Sequence, residues 1–255
     1  MLATLTETMR AFNRAEAPAS VGGQVVERDG LTAFVTPSAP TQSIVNCVMF
    51  DDHDALAADL GPLRELYAAA GVSHWMVWTL PGDEQAPPLL EQAGHFREYE
   101  PMAMALDLSR LRAPSRDAAP FELDRDPHPV EITTLNERAN GELPGAFGTA
   151  FAGLRGSRFR RWMARVDGRP AACLVTFDHG DNCMVQWVAT DPDHQRKGLG
   201  RALLHAALAD ARERGLATST LESSYEGERL YESLGYAPLG RLGMWLWDGP
   251  TVSLA

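Results

Sequence analysis

The feature that most constrains the fold is an apolar, strand-like run that passes through a short glycine-rich loop directly into an amphipathic helix. The run ends at residues 188–190, the loop covers residues 195–200, and apolar residues recur at helical spacing from Leu199 onward. Amide N–H groups at the start of a helix lack partners within the helix, and the helix dipole adds positive potential there. The junction therefore predicts a binding site for an anionic group such as a pyrophosphate.

The composition of this loop supports the same interpretation. Gly198 and Gly200 have no side chain to obstruct a phosphate. Arg196, Lys197 and Arg201 bring positive charge into a chain whose formal net charge is −11, and Lys197 is its only lysine. The spacing matches neither the Gly-x-Gly-x-x-Gly pattern of dinucleotide folds nor the P-loop pattern. Those two kinds of nucleotide site are therefore excluded.

Composition excludes several other classes of protein. The chain has 255 residues, 45% of them hydrophobic and 22% charged, which is typical of one large or two modest globular domains. Its apolar runs are too short to cross a bilayer, and its first residues lack the pattern of a secretory signal. The net negative charge disfavours nucleic-acid binding. We therefore expect a cytoplasmic protein with neither nucleic-acid nor membrane partners.

The three cysteines, Cys47, Cys173 and Cys183, lie in apolar strand-like runs without metal-ligand spacing. We expect them to be buried free thiols, and we expect no metal site. His53 lies among Asp51, Asp52 and Asp54, which indicates either a metal cluster or the acidic first turn of a helix. The acidic first turn is the simpler interpretation.

A proline-rich segment divides the chain into two parts. Residues 113–129 contain several prolines and little apolar periodicity, which is typical of an extended linker. The predicted domains are therefore residues 1–112 and residues 130–255.

Hydrophobic periodicity predicts a mixed α/β sheet in the second domain. Its predicted helices cover residues 130–140, 199–214 and 227–234, and its predicted strands cover residues 161–166, 171–177, 184–190, 217–222 and 239–247. The first domain repeats part of this order, with a helix at 54–70, a strand at 72–80, a helix ending at Gly94 and a strand at 102–108. A duplicated domain is the simplest account of the repeat.

Three segments resemble the GNAT superfamily of acyl-CoA-dependent N-acetyltransferases. Residues 195–200, Gln-Arg-Lys-Gly-Leu-Gly, are similar to the family's acyl-CoA loop, Gln/Arg-x-x-Gly-x-Gly/Ala. Residues 188–192 resemble the strand end before that loop, and residues 230–236 resemble the family's Leu-Tyr-Glu-x-Leu-Gly-Phe segment. The resemblance covers residues 130–248. It implies an α/β fold of two GNAT-like domains in tandem, of which the first is a degenerate copy without a CoA loop.

The resemblance also implies a set of site residues. The backbone amides that would hold the pyrophosphate of acetyl-CoA belong to Arg196, Lys197, Gly198, Leu199, Gly200 and Arg201. The backbone of Val188, Ala189 and Thr190 would bind the pantetheine arm, and an N–H group there would polarise the thioester carbonyl. Tyr231 takes the place of the family's general acid. The implied reaction moves an acetyl group from acetyl-CoA to a primary amine of a small molecule or peptide, without a metal.

Several positions depart from the family pattern and leave alternatives open. Ser224 stands where many members have asparagine, so its hydroxyl binds the pantetheine region or caps the following helix. Met184 replaces a carboxylate that some members carry on the central strand. The general base is then water, or an acid from the set Glu142, Asp178 and Glu222. A catalytically silent acyl-CoA-binding regulatory module and an interaction scaffold are the alternative functions.

Two further expectations concern the first domain and the aromatic residues. Leu90 occupies the position that corresponds to Tyr231, and the acidic residues 51–54 would repel a pyrophosphate. The first domain is therefore expected to have a structural role. Most tryptophans are expected to pack in the sheets, and Trp187 is the one most suited to contact an acceptor.

Overall fold

The computed structural model describes residues 1–114 and 118–249. These residues form two compact units. Unit 1 comprises Met1–Phe12, Met102–Gly145 and Leu154–Gly240. Unit 2 comprises Asn13–Pro101, Ala146–Gly153 and the described residues from Arg241 on.

The described helices and strands are numbered in chain order. The helices are α1 (Leu2–Glu16), α2 (His53–Ala69), α3 (Ala86–Gln92), α4 (Pro129–Asn140), α5 (Leu199–Glu213) and α6 (Glu228–Leu234). The strands are β1 (Gln24–Arg28), β2 (Leu31–Val35), β3 (Cys47–Phe50), β4 (His74–Thr79), β5 (Phe96–Tyr99), β6 (Met102–Asp107), β7 (Glu122–Asp124), β8 (Phe159–Val166), β9 (Arg169–His179), β10 (Asn182–Thr190), β11 (Thr218–Ser223), β12 (Ala237–Arg241) and β13 (Gly243–Asp248).

Unit 1 is built on a seven-stranded sheet in the order β12-β6-β11-β10-β9-β8-β7. Strands β10 and β11 are parallel, whereas β10–β9, β9–β8 and β11–β6 are antiparallel pairs. Helix α5 buries Leu203, Leu204, Ala207 and Leu208, the residues whose spacing predicts it. Burying each leucine side chain contributes roughly 1.5–3 kcal/mol, so this face fixes α5, and with it the loop before α5, on the sheet.

Unit 2 is built on a six-stranded sheet in the order β1-β2-β3-β4-β13-β5. Strands β3 and β4 are parallel. Strand β2 pairs with β3, and β13 pairs with β4, both in antiparallel orientation. Helix α2 packs Leu56, Leu63 and Tyr67 into the core, where the Tyr67 hydroxyl lies 3.0 Å from the carbonyl oxygens of Phe34 and Cys47. The buried polar end of this side chain is therefore satisfied.

The two units share one strand order. On one side of the parallel pair, β3-β2-β1 in unit 2 corresponds to β10-β9-β8 in unit 1. On the other side, β4-β13-β5 in unit 2 corresponds to β11-β6-β12 in unit 1. In each unit the first strand of the parallel pair leads into the long helix, α2 or α5. The predicted fold class, two mixed α/β sheets with helices in tandem, is confirmed.

Two strands lie in a different sheet from the one that the sequence predicts. The predicted boundary places β6 in the first domain, but this strand pairs with β11 in unit 1. The predicted strand at 239–247 is two strands, β12 and β13, and β13 pairs with β4 and β5 in unit 2. The chain changes sheet at the buried residue Leu242, whose N–H donates to the carbonyl of Pro101. Alternating apolar residues specify a strand and its buried face, but they do not specify its neighbours.

The segment predicted as a linker also contributes to the sheet of unit 1. Glu122–Asp124 forms the edge strand β7 against β8, and the N–H of Ala119 donates to the carbonyl of Lys197. Residues 115–117 of this segment and residues 250–255 lie outside the described residues. The predicted boundaries at 112 and 130 therefore differ from the division into compact units.

The cysteines are free and buried, as the sequence predicts. Burial raises the pKa of Cys173 and of Cys183 to about 12, so both thiols keep their protons. None of the helices in the described residues combines the length and the apolarity that a membrane span requires.

One buried histidine makes the stability of unit 2 depend on pH. His95 is 4% exposed and packs edge-on against Trp75, with ring centroids 4.8 Å apart. Burial, together with the nearby guanidinium of Arg64, lowers the pKa of His95 from 6.5 to about 4. In the unfolded chain, His95 takes up a proton at a higher pH than in the folded chain. We therefore predict that the free energy of unfolding of unit 2 falls by up to about 3 kcal/mol as the pH falls from 6.5 to 4.

Urea unfolding followed by tryptophan fluorescence at pH 7.5 and pH 4.5 measures this loss. His95→Leu should lose less stability on acidification than the parent chain, whereas His179→Leu in unit 1 should behave like the parent. Equal acid sensitivity of the His95→Leu variant and the parent would refute the prediction.

Candidate functional site

The central parallel pair of unit 1 separates partway along its length. Strands β10 and β11 pair at Asn182↔Thr218, Cys183↔Ser219 and Met184↔Thr220, and the register has no pairs beyond Met184. Strand β10 nevertheless continues to Thr190. The backbone groups of its last six residues therefore lack ladder partners on the β11 side. We call this opening the wedge; an unpaired strand edge of this kind accepts an extended ligand as an added strand.

A β-bulge lies beside the wedge. The register between β10 and β9 shifts between Gln186 and Ala189, so Trp187 and Val188 fall outside the ladder. Trp187 has a φ of +55°, a left-handed conformation that is rare for a bulky residue. The bulge turns the backbone of the three predicted pantetheine-binding residues, Val188, Ala189 and Thr190, relative to the start of the strand.

The predicted anion-binding loop lies at the carboxyl end of β10. Gly198 has a φ of +81° and is the N-cap residue of α5, a conformation that glycine adopts without strain. A Cβ atom on Gly200 would lie 3.1 Å from Oγ1 of Thr190, so glycine allows the helix start to approach the strand end. The N–H groups of residues 196–200 have no acceptor among the described residues. These five amides are thus available to an external anion.

The basic side chains of the loop have different surroundings. Arg196 and Lys197 are exposed, and Arg201 at the start of α5 is half-buried. The ammonium of Lys197 donates to the carbonyl of Asp193 at 2.8 Å, which ties the loop to the preceding turn. Leu199 is 1% exposed and anchors the helix start in the core, so its backbone rather than its side chain faces the loop.

At the equivalent junction in unit 2, between β3 and α2, the backbone N–H groups already have acceptors within the chain. The carboxylate of Asp52 caps α2 by accepting the N–H of Ala55 at 2.9 Å. The N–H groups of Asp51 and Asp52 both donate to the carbonyl of Gly30. This junction is therefore filled by the chain's own groups and carries negative charge, as expected for the acidic first turn of a helix.

A carboxylate near the end of β11 is hydrogen-bonded across the wedge to β10. Oε2 of Glu222 accepts a hydrogen bond from Nε2 of Gln186 on β10 at 2.7 Å, and Oε1 of Glu222 is buried without a hydrogen-bond partner. Burial raises the pKa of Glu222 to about 7, although the hydrogen bond from Gln186 opposes the shift. Glu222 is therefore able to take up or release a proton near neutral pH.

The other two acids considered as a general base lie in different surroundings. Asp178 forms ion pairs with Arg160 at 2.7 Å and with Arg214 at 2.9 Å. Glu142 is exposed in the loop after α4. The sequence treats these three acids alike, because neither the burial of Glu222 nor its bond to Gln186 is visible before β10 and β11 are paired.

Tyr231 on α6 is also buried near Glu222. Its side chain is 7% exposed, and its hydroxyl has no hydrogen-bond partner among the described residues. Burial, and secondarily the charge of Glu222, raises the pKa of Tyr231 well above the ordinary value of 10. The phenol is therefore protonated at neutral pH and can only donate a proton. Gly227 admits its ring, because a Cβ there would lie 3.0 Å from Cε2 of Tyr231.

Ser224 lies in the turn between β11 and α6. Its hydroxyl accepts the N–H of Gly227 at 3.2 Å, and the residue is exposed. This bond closes the turn before α6, whose N-cap residue is Gly227 and has no side-chain cap, so Ser224 is not the N-cap residue of that helix. Binding of the pantetheine region by Ser224 stays a prediction.

His53 lies beside a carboxylate in the loop before α3. Its Nε2 lies 3.0 Å from a carboxylate oxygen of Asp83. No group of three potential His, Cys, Asp or Glu ligands is found within residues 1–114 and 118–249.

Comparison with known proteins identifies the domain that contains the wedge. Residues 157–238 match the model of the acetyltransferase (GNAT) domain. The [ribosomal protein bS18]-alanine N-acetyltransferase of Escherichia coli K12 is 39% identical over 89 residues, which are 34% of this chain and 60% of that protein. The chain thus spans less than two thirds of the curated relative that it matches.

Solved structures share the fold over most of the chain. The GCN5-related N-acetyltransferase from Kribbella flavida has a TM-score of 0.69 at 18% identity and covers 96% of both chains. A tandem GNAT protein from the clavulanic acid biosynthesis pathway has a TM-score of 0.56 at 17% identity, covering 87% of this chain and 79% of that one. Residues 157–238, the part of the chain that matches the acetyltransferase (GNAT) domain, contain the wedge, the amide-lined loop and Tyr231.

Proposed function

We propose that unit 1 transfers an acetyl group from acetyl-CoA to a primary amine of a small molecule or peptide. The observation that carries this proposal is the wedge between β10 and β11, which runs from the amide-lined loop before α5 to Glu222 and Tyr231. A diphosphate, an extended arm and a reacting thioester require these features in this order. Unit 2 has no comparable junction, and we propose that it does not bind acetyl-CoA.

The loop and the strand edge would bind the two parts of acetyl-CoA differently. The free N–H groups of residues 196–200, at the positive end of the α5 dipole, would donate to the pyrophosphate, and Arg196, Lys197 and Arg201 would add attraction. The unpaired edge of β10 from Val188 to Thr190 would hydrogen-bond the pantetheine amides as a neighbouring strand would. The side chains and backbone present at the loop and the strand edge fit this ligand.

Glu222 is suited to be the general base. Its pKa of about 7 leaves a large fraction ionised at neutral pH, and its buried Oε1 is free to accept a proton from the ammonium form of the acceptor. Removing that proton exposes the nitrogen lone pair, which attacks the thioester carbonyl. The proposal thus assigns to Glu222 the role of general base, for which the sequence leaves three acids and water open.

Tyr231 is suited to be the general acid. As the nitrogen–carbon bond forms, negative charge develops on the carbonyl oxygen, where a backbone N–H of the bulge would stabilise it. The carbon–sulfur bond then breaks, and the phenol of Tyr231 would give its proton to the departing thiolate. The nitrogen, which carries one extra proton after the attack, would lose it to the phenolate, and Tyr231 is restored. The products are the acetylated amine and CoA in its thiol form.

The acceptor is proposed by chemical class. The net charge of −11 favours a cationic amine over an anionic one. The relative that acts on bS18 acetylates an alanine of a protein, so an alanyl peptide is a reasonable first acceptor to assay. Small diamines belong in the same assay.

We predict that Gly198→Glu weakens acetyl-CoA binding by at least about 100-fold, because a carboxylate beside the amides repels the pyrophosphate. Calorimetric titration measures this affinity. The matched control is Gly168→Glu, which places the same side chain at a turn glycine that also has a positive φ but lies between β8 and β9. Unchanged affinity in Gly198→Glu would remove the loop from the proposed site.

The rate of thiol release should rise with pH through about 7, because Glu222 must lose its proton before it can accept one. We predict that Glu222→Gln lowers kcat by roughly 100-fold or more and removes this inflection. Thiol release is measured at saturating acceptor between pH 5.5 and pH 9. An inflection of the same size in Glu222→Gln would assign the base to another group.

Tyr231→Phe should lower kcat by roughly 100-fold and leave the affinity for acetyl-CoA unchanged, since only the phenolic proton is lost. Thiol release and calorimetric titration of the same preparation separate the two effects. Normal turnover in this variant would disprove the role of Tyr231. If the parent chain binds acetyl-CoA but releases no thiol with any amine, the chain is an acyl-CoA-binding module instead.

A further inference from the structure

The backbone of the bulge adopts a conformation that the local sequence does not favour. Trp187 has a φ of +55°, although it is neither glycine nor asparagine. Such a conformation persists when surrounding groups hold it, and it concentrates at functional sites. The contacts of the Trp187 carbonyl show which groups hold it here.

A polar side chain from α4 reaches that carbonyl. Nδ2 of Asn136 lies 3.3 Å from the carbonyl oxygen of Trp187, and it also donates to the carbonyl of Ile132 at 2.9 Å. Asn136 is 5% exposed and lies on the apolar face of α4 that includes Ile132 and Leu135. A buried side-chain amide is unfavourable unless its hydrogen bonds are made. Here the carbonyls of Ile132 and Trp187 accept the hydrogen bonds of the Asn136 amide.

Cys173 on β9 is the second contact of this carbonyl. Its Sγ lies 3.7 Å from the oxygen of Trp187, and burial raises the pKa of the thiol to about 12, so the S–H group is available as a donor. A thiol is a weak donor, whereas an amide is an ordinary one. Asn136 therefore provides the stronger restraint on the peptide group.

The orientation of this carbonyl fixes the next N–H. In a trans peptide the C=O of one residue and the N–H of the next point in opposite directions. Because the carbonyl of Trp187 points towards α4 and β9, the N–H of Val188 points away from them. Strand β9 lies on one side of β10, and the other side is the wedge.

We propose that Asn136 is a positioning residue that directs the Val188 N–H into the wedge as the donor to the thioester carbonyl oxygen. The inference rests on the proposed function and assigns a role in it to a residue on α4. Asn136 touches neither acetyl-CoA nor the acceptor; it acts by keeping Trp187 in its left-handed conformation.

The test is a double-mutant cycle between Asn136 and Trp187. Asn136→Leu removes the amide and keeps the volume, and it should lower kcat by about 100-fold while acetyl-CoA affinity stays the same, as expected for loss of one oxyanion donor. Glycine adopts a positive φ without help. In the Trp187→Gly background, Asn136→Leu should therefore lower kcat less than about threefold, because the restraint is no longer needed.

Matched controls separate positioning from a general effect on the helix. Asn140→Leu changes the same residue type one turn further along α4, at an exposed position, and should leave kcat unchanged. If Asn136→Leu does not fold, Asn136→Ala takes its place in the cycle. Equal losses of kcat in the parent background and in the Trp187→Gly background would assign Asn136 a purely structural role and overturn the inference.

A measurement without turnover distinguishes this inference from the proposed function. The amide resonance of Val188 should shift when acetyl-CoA binds, and the shift should be lost in Asn136→Leu and recovered in the double variant. A parent chain that binds acetyl-CoA without a Val188 shift contradicts the proposed oxyanion donor itself. A shift that persists unchanged in Asn136→Leu overturns the role of Asn136 and leaves the proposed function intact.

Discussion

Strands β10 and β11 hydrogen-bond for only three residues before they separate, and the rest of the candidate site depends on that separation. Within a continuous sheet, the edge of β10 from Val188 to Thr190 would already be paired. Because the ladder stops at Met184, an extended ligand can complete it, and Glu222 at the end of β11 comes to lie at the wedge. Helix α5, fixed by its buried leucines, holds the amide-lined loop at the open end of the same strand.

Unit 2 shows that this strand order alone does not make such a site. It repeats the parallel pair and the long helix that follows, but the carboxylate of Asp52 and the carbonyl of Gly30 already occupy the amides at its strand–helix junction. The contrast arises from a few residues at one junction. In unit 1 the corresponding amides lie beside two glycines and a lysine, and they face outward without an acceptor among the described residues.

Burial affects the two titratable groups at the wedge in the same direction but with different chemical consequences. It raises the pKa of Glu222 to about 7, which makes a carboxylate a useful base near neutral pH. It raises the pKa of Tyr231 further above its ordinary value, which keeps the phenol protonated. One apolar environment thus prepares both a proton acceptor and a proton donor, and the charge of Glu222 strengthens the effect on Tyr231.

The sequence by itself determined the elements whose signals are local. Leucine spacing and Gly198 located α5 and its loop, and the α/β class followed from the order of strands and helices. Only the tertiary structure decided which sheet β6 and β13 join, because an alternating pattern specifies a buried face and not a neighbouring strand. Likewise, the roles inferred for Glu222 and Asn136 depend on Gln186 and Trp187, which are 36 and 51 residues away along the chain and become neighbours only when the strands and helices pack.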